Sequence, residues 1–285
     1  MTDFIGDIHG HADKLIELLA KLGYTIKNGS YHHPDRKIIF VGDYIDRGPK
    51  IKETLEIVRS MVVNGNAIAL LGNHEYNALC FHFEEAKGGH LRKHSIKNIL
   101  QHNETLRQFK NKQKEYEDYL EWFKTLPLFY ESAYFRAVHA CWDSEHVSYL
   151  RSVLKDDRLN DDIIHQSVKK GTKLNIAIDE ILKGKEIEIP GGTSFSDKDG
   201  HERTEIRIKW WENPQTTTYK NISVEPLDNL PNELVDKSAF ENANYYNQDD
   251  KPVFFGHYWL RGNPMLYRDN ICCLDYSVAK NGYLA

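Results

Sequence analysis

Five short apolar runs each lead into a turn that carries a potential metal ligand: Asp7 and His9, Asp43, Asn73, His139 and His257. A lone Asp-x-His is a common surface turn, but the same arrangement repeated five times in one chain points to a shared site. Carboxylate, imidazole and amide donors together suit borderline first-row ions such as manganese, iron or zinc, whereas calcium prefers oxygen alone. A set of this size holds two ions, with one carboxylate, Asp43 by preference, bridging them, and such a pair of ions hydrolyses phosphate esters. Glycine precedes three of the turns, at Gly6, Gly42 and Gly72, where a tight strand-to-loop reversal requires it.

The elements that must position these residues follow from periodicity. Phe4 and Ile5 read as the end of a strand entering Gly6-Asp7-Ile8-His9-Gly10. Leu15, Leu18, Leu19 and Leu22 then mark one face of a helix that Gly23 stops. The grammar repeats with Ile38 to Val41 before Gly42-Asp43, a helix facing inward through Leu55, Val58 and Val62, and Ile68 to Leu71 before Gly72-Asn73-His74-Glu75. This is βαβ grammar, and it places the ligands at strand carboxyl ends, where sites in α/β sheets gather. Later strands are expected at Tyr134 to Val138 before His139, at Val253 to Phe255 before His257, and at Ile271 to Leu274 before Asp275. Residues 80–130 read as a helical insertion around Tyr119, Trp122, Phe123 and Leu126, closed by Pro127. Residues 145–250 read as a mixed insertion or cap with one β-rich patch at Ile206 to Trp211, all within a single domain over 1–285. His32, His33, His82, His90, His94 and His102 have no strand before them and read as solvated.

The series Gly6-Asp7-Ile8-His9-Gly10, Gly42-Asp43-Tyr44-Ile45-Asp46-Arg47-Gly48 and Gly72-Asn73-His74-Glu75, with the later His139 and His257, resembles the signature of the phosphoprotein phosphatase family of calcineurin-like metallophosphoesterases. The likeness covers about residues 1–80, 130–145 and 250–280. It implies an α/β fold with a central β-sandwich flanked by helices, and hydrolysis in a single step by a hydroxide bridging two divalent ions, manganese first and iron, zinc or cobalt as substitutes. It further implies one ion on Asp7, His9 and Asp43, and the other on Asp43, Asn73, His139 and His257. His74 would be the general acid, oriented by Asp46. Arg47 would grip the phosphate through its guanidinium fork. Asp275, in Leu274-Asp275-Tyr276-Ser277, would support the site from behind the ligands. Two departures stand out. The fourth ligand is followed by Ala140-Cys141 where the family has glycine, and the second phosphate-binding arginine has no motif match; Arg207 is the first choice, ahead of Arg203 and Arg261.

The expected activity is phosphomonoester hydrolysis of the serine/threonine phosphatase kind on a phosphoprotein. The alternatives are hydrolysis of dinucleoside polyphosphates or of nucleic-acid phosphate ends, with Trp210, Trp211, Trp259, Tyr245 and Tyr246 as base-stacking candidates that otherwise belong to the core. A phosphate-binding scaffold without turnover is disfavoured by the presence of His74, Asp46 and Arg47. A net charge of -5 and a pI near 6.3 argue against a surface built to wrap nucleic acid. Four cysteines, two of them adjacent, without CxxC spacing, fit a reducing cytoplasm, and neither an export signal nor a spanning segment is expected. Gly282-Tyr283-Leu284-Ala285 reads as a closing strand that stops early, so the gene product is expected to continue a little further.

Overall fold

The computed structural model describes residues 1–86, 88–192, 194–196, 202–227, 229–240 and 245–285. Its first sheet is parallel: β1 (Thr2–Ile5), β2 (Lys37–Phe40) and β3 (Ala67–Ala69), with β2 in the middle and Ile5 opposite Phe40. The second has β4 (Phe129–Glu131), β5 (Arg136–Val138), β6 (Val253–Phe255) and β7 (Ile271–Cys273) side by side in the order β7-β6-β5-β4. In it β5, β6 and β7 run parallel and only β4 is antiparallel. The two sheets meet face to face. Ile39, Leu70 and Ala137 form a shared cluster with Phe4 and Phe135 against it, and the Phe4 ring stacks on Phe254 at 3.6 Å. This is the sandwich that the family resemblance implies, and the parallel strands of both sheets end at one common edge.

Helices cover the outer faces. Each has an apolar stripe at helical spacing: α1 (Ala12–Lys21) buries Ala12, Leu15 and Leu19, and α2 (Ile51–Val63) buries Ile51, Leu55, Val58 and Met61. Helix α3 (Asn73–His82) differs, because nearly every side chain from Asn73 to Phe81 is buried and no face is left polar. The expected helical insertion consists of α4 (Ile96–Gln108) and α5 (Gln113–Lys124). Among residues 145–250, α6 (Ser144–Val153), α7 (Asp161–Ser167) and α8 (Lys173–Lys183) pack into the main core through Leu150, Ile164, Ile178, Ile181 and Leu182. Only beyond them does a distinct small core appear, built from Ile187, Ile189, Ile206, Ile208, Tyr219 and Ile222 around the ribbon Glu186–Glu188 and Glu205–Arg207. The closing strand is present as Tyr283–Leu284 against Asp275–Tyr276. Among the described residues no helix is long and apolar enough to cross a membrane.

Candidate metal centre and substrate cleft

Because the parallel strands share an edge, their following turns converge. Asp7 and His9 follow β1, Asp43 follows β2, Asn73 opens α3 after β3, His139 follows β5 and His257 follows β6; all six side chains are buried. The turns hold each other by backbone bonds: Ile8 and His9 N–H donate to the Asp43 carbonyl, and Gly256 N–H donates to that of His139. His9, Asp43, Asp46, Arg47, His257 and Trp259 all have positive φ, between 46° and 75°. Non-glycine residues rarely adopt this conformation, and such strain concentrates at functional sites. Gly42 is the one turn glycine of the three whose φ, +114°, needs glycine for its own sake. Gly72 is required for space, since a Cβ there would lie 2.3 Å from the Asp43 backbone nitrogen.

Two close groups of donor atoms result, His9 with Asp43 and His74, and Asp43 with His139 and His257. Asp43 belongs to both, as a bridging carboxylate must. The His9 Nδ1–H donates to the Ile45 carbonyl at 3.0 Å, which leaves the buried Nε2 as a bare lone pair without a partner. In the second group the His139 Nδ1–H donates to the Val41 carbonyl at 2.8 Å, so its Nε2 lone pair faces the Asn73 Oδ1, another lone-pair atom, at 2.9 Å. His257 Nδ1 lies 2.8 Å from the same oxygen. Lone pairs turned on one another around a buried carboxylate are the arrangement that a cation resolves, and the donor set fits two divalent ions.

The electrostatics agree. Burial, with His74 beside it, lowers the His9 pKa to about 3, and burial puts His257 well below its ordinary range, so both rings are neutral, the form in which an imidazole can hold a metal. Burial together with Asp275 and Asp43 raises Asp7 well above the usual carboxylate range, an excess of negative charge that bound cations would relieve. Asp7 falls outside both close groups; its carboxylate accepts the His257 N–H at 3.1 Å and thereby ties β1 to β6.

His74, at the start of α3, directs Nδ1 at Asp46 Oδ2, 2.5 Å away. Burial works against the imidazolium there, but the carboxylates of Asp43 and Asp46 outweigh it and raise the pKa, which suits a proton donor. Arg47 lies with its guanidinium 4.1 Å from the Trp259 ring centroid, and Lys280 stands 5.0 Å from the same ring. The Asp275 carboxylate accepts the Trp259 and Ser277 N–H groups and so fixes the turn that follows His257. Beside it opens a cleft of about 430 Å³ lined by Arg47, Arg203, Arg207, Tyr258, Trp259 and Lys280 together with Glu186, Glu202, Glu205 and Glu225. Arg203 and Arg207 line this cleft; Arg261 is exposed and outside the cleft lining.

The comparisons with known proteins agree with this geometry. The family model described as calcineurin-like phosphoesterase matches residues 2–258. The chain belongs to the calcineurin-like phosphoesterase family. Over 73 residues it is 51% identical to the bis(5'-nucleosyl)-tetraphosphatase PrpE [asymmetrical] of Halalkalibacterium halodurans, covering 25% of this chain and 30% of that protein. The enzyme of the same name from Bacillus subtilis is 45% identical over 73 residues, again 25% of this chain and 30% of the relative. The match therefore spans less than a third of the length of either relative. Among solved structures, a cold-active protein tyrosine phosphatase aligns over 99% of this chain and 71% of its own with a TM-score of 0.54 and 17% identity. A protein serine/threonine phosphatase from Saccharomyces cerevisiae aligns over 95% and 65% with a TM-score of 0.50 and 14% identity. At such identities the likeness is one of fold.

Several side chains at the site had not stood out in the sequence. Glu75 accepts four backbone N–H groups, from Gly72, Asp43, Tyr44 and Ile45, and so pins the Asp43 turn to the start of α3. His102, expected in solvent, is buried and hydrogen-bonded to Asp46 at 2.7 Å. The stacking candidates also separate: Trp210, Trp211 and Tyr246 are core, Tyr245 is exposed outside the cleft lining, and Trp259 alone reaches the cleft.

Proposed function

We propose that the chain hydrolyses dinucleoside polyphosphates at the Asp43-centred site. The observation that carries this reading is the cleft at Trp259, whose wall includes the cations Arg47, Lys280 and Arg207, the last held by Glu186 at 3.1 Å, as contacts for the phosphate groups of one substrate. The names of the PrpE relatives support the same substrate class, and the phosphomonoester reading has no comparable feature in its favour. Trp259 is a platform for the cations Arg47 and Lys280 rather than for a base, so recognition rests on the polyphosphate.

Asp7, His9 and Asp43 would hold one divalent ion, and Asp43, Asn73, His139 and His257 the other, with manganese the first candidate and iron, zinc or cobalt acceptable to the same donors. When bound, the ions supply a nucleophile ionised at neutral pH and neutralise charge on the phosphoryl oxygens. The protein does the rest. Arg47 binds and orients the reacting phosphate, Arg207 and Lys280 hold its neighbours, and His74 gives its Nε2 proton to the departing phosphate oxygen while Asp46 fixes the ring. The test is kcat/KM with manganese on diadenosine tetraphosphate, a phosphopeptide and a 5'-phosphorylated oligonucleotide. Preference for the tetraphosphate is expected, with KM raised about tenfold or more in Arg207→Ala by loss of a charge-assisted contact. Preference for the phosphopeptide, unaffected by that substitution, would overturn the reading.

A further inference from the structure

The two helices inserted between the signature motifs reach the site at Asp46. Its Oδ2 faces His74, while Oδ1 accepts the Thr105 hydroxyl at 2.6 Å and the His102 Nδ1–H at 2.7 Å. The Thr105 oxygen in turn accepts the Asp46 backbone N–H at 3.0 Å. With Nδ1 donating, His102 presents Nε2 as an acceptor, and the Tyr116 hydroxyl donates to it at 2.9 Å. His102 and Thr105 lie one helical turn apart on α4 and Tyr116 lies on α5, and all three are buried. Asp46 itself has φ +66°, a conformation that the surrounding bonds hold.

We propose that His102 and Thr105, backed by Tyr116, are positioning residues for proton transfer by His74. The inference rests on the reading of His74 as the general acid. Two donors converging on Oδ1 fix the rotation of the Asp46 carboxylate and leave Oδ2 as the oxygen available to His74. The His74 ring is thereby fixed as well, with Nε2 turned toward the Asp43 side of the site, 3.9 Å from its Oδ2. Without this clamp the carboxylate can rotate, and the imidazole loses the aim that proton donation in the transition state requires. The role assigned to α4 and α5 is therefore catalytic support at a distance.

The experiment measures kcat on aryl phosphates whose leaving phenols differ in acidity, for His102→Leu, His102→Asn and Thr105→Val beside wild type and His74→Ala. Melting temperature and bound manganese are recorded for each. An acidic phenol such as dinitrophenol departs without a proton, whereas phenol needs one. His102→Leu and Thr105→Val should lose about 10–100-fold on phenyl phosphate, the usual cost of removing an outer-shell partner, and far less on dinitrophenyl phosphate. His102→Asn, whose amide can still donate to Oδ1, should recover much of the loss. An equal fall on both substrates that tracks melting temperature or metal content would overturn the proposal and leave these residues a structural role. If His74→Ala also shows no leaving-group dependence, the reading of His74 fails and the clamp with it. If His74→Ala shows it and the clamp variants do not, only the clamp is refuted.

Discussion

His74 illustrates how little of a residue's chemistry is its own. Its pKa is set by burial working against two carboxylates, and its direction by a hydrogen bond of 2.5 Å to Asp46. His74→Ala is expected to lower kcat on diadenosine tetraphosphate by about 10²–10⁴-fold, the range for loss of a general acid, with bound metal unchanged; steady-state rates and metal analysis on the same samples check both halves. Residues of this kind were legible because each follows an apolar run directly, so that type and position coincide in the sequence. Glu75 and His102 were not legible in their roles. The partners of Glu75 at Asp43 to Ile45 lie about 30 residues away, and Asp46 lies 56 residues from His102; only the fold brings them together.

At the scale of elements, the decisive unit is the start of α3. The Glu75 carboxylate joins the Gly72 N–H before it to the three N–H groups of the Asp43 turn, and the His74 N–H donates to Asp43 Oδ1. In Glu75→Gln an amide NH₂ must face backbone donors. The substitution should destabilise the chain by about 1–3 kcal/mol, the cost of leaving buried polar groups unsatisfied, and weaken metal retention. Urea denaturation and dialysis against a metal buffer would measure these, and unchanged values in both would contradict the role given to Glu75. Helix α3 also shows why periodicity has limits. Buried on all sides, it carries no polar stripe, so the sequence offered its first turn as a motif and not its length as a helix. Helix α8 shows the converse: Leu174, Ala177, Ile178, Ile181 and Leu182 repeat at helical spacing inside a stretch that reads as cap because of its many charges.

For the whole molecule, the five strand-and-turn units were legible from their apolar runs, whereas their arrangement as two packed sheets followed only from the resemblance to the phosphatase family. The cleft was not legible, since it is made where the small core around Ile206 meets the turn after β6. The sandwich is fastened at its second sheet by Glu131, which pairs with Arg136, Arg151 and Lys251. Burial opposes ionisation there, but hydrogen bonds from these three cations lower its pKa from 4.5 to about 2. A depressed folded-state pKa stabilises the fold above the unfolded-state value and loses that contribution as pH falls through the folded one. The difference in melting temperature between wild type and Glu131→Gln should therefore be full at neutral pH and shrink as pH falls below about 4.5 toward 2. A difference independent of pH would show that the charge contributes nothing.

The central claim is a two-ion site bridged by Asp43 that acts on a polyphosphate. Its most direct test is to count manganese ions bound per chain while following hydrolysis of diadenosine tetraphosphate in the same samples, for wild type and Asp43→Asn. The account predicts two ions and turnover in the wild type, and loss of both ions and of turnover when the shared carboxylate is removed. A single ion in the wild type, or an Asp43→Asn chain that keeps both ions and its rate, would contradict it.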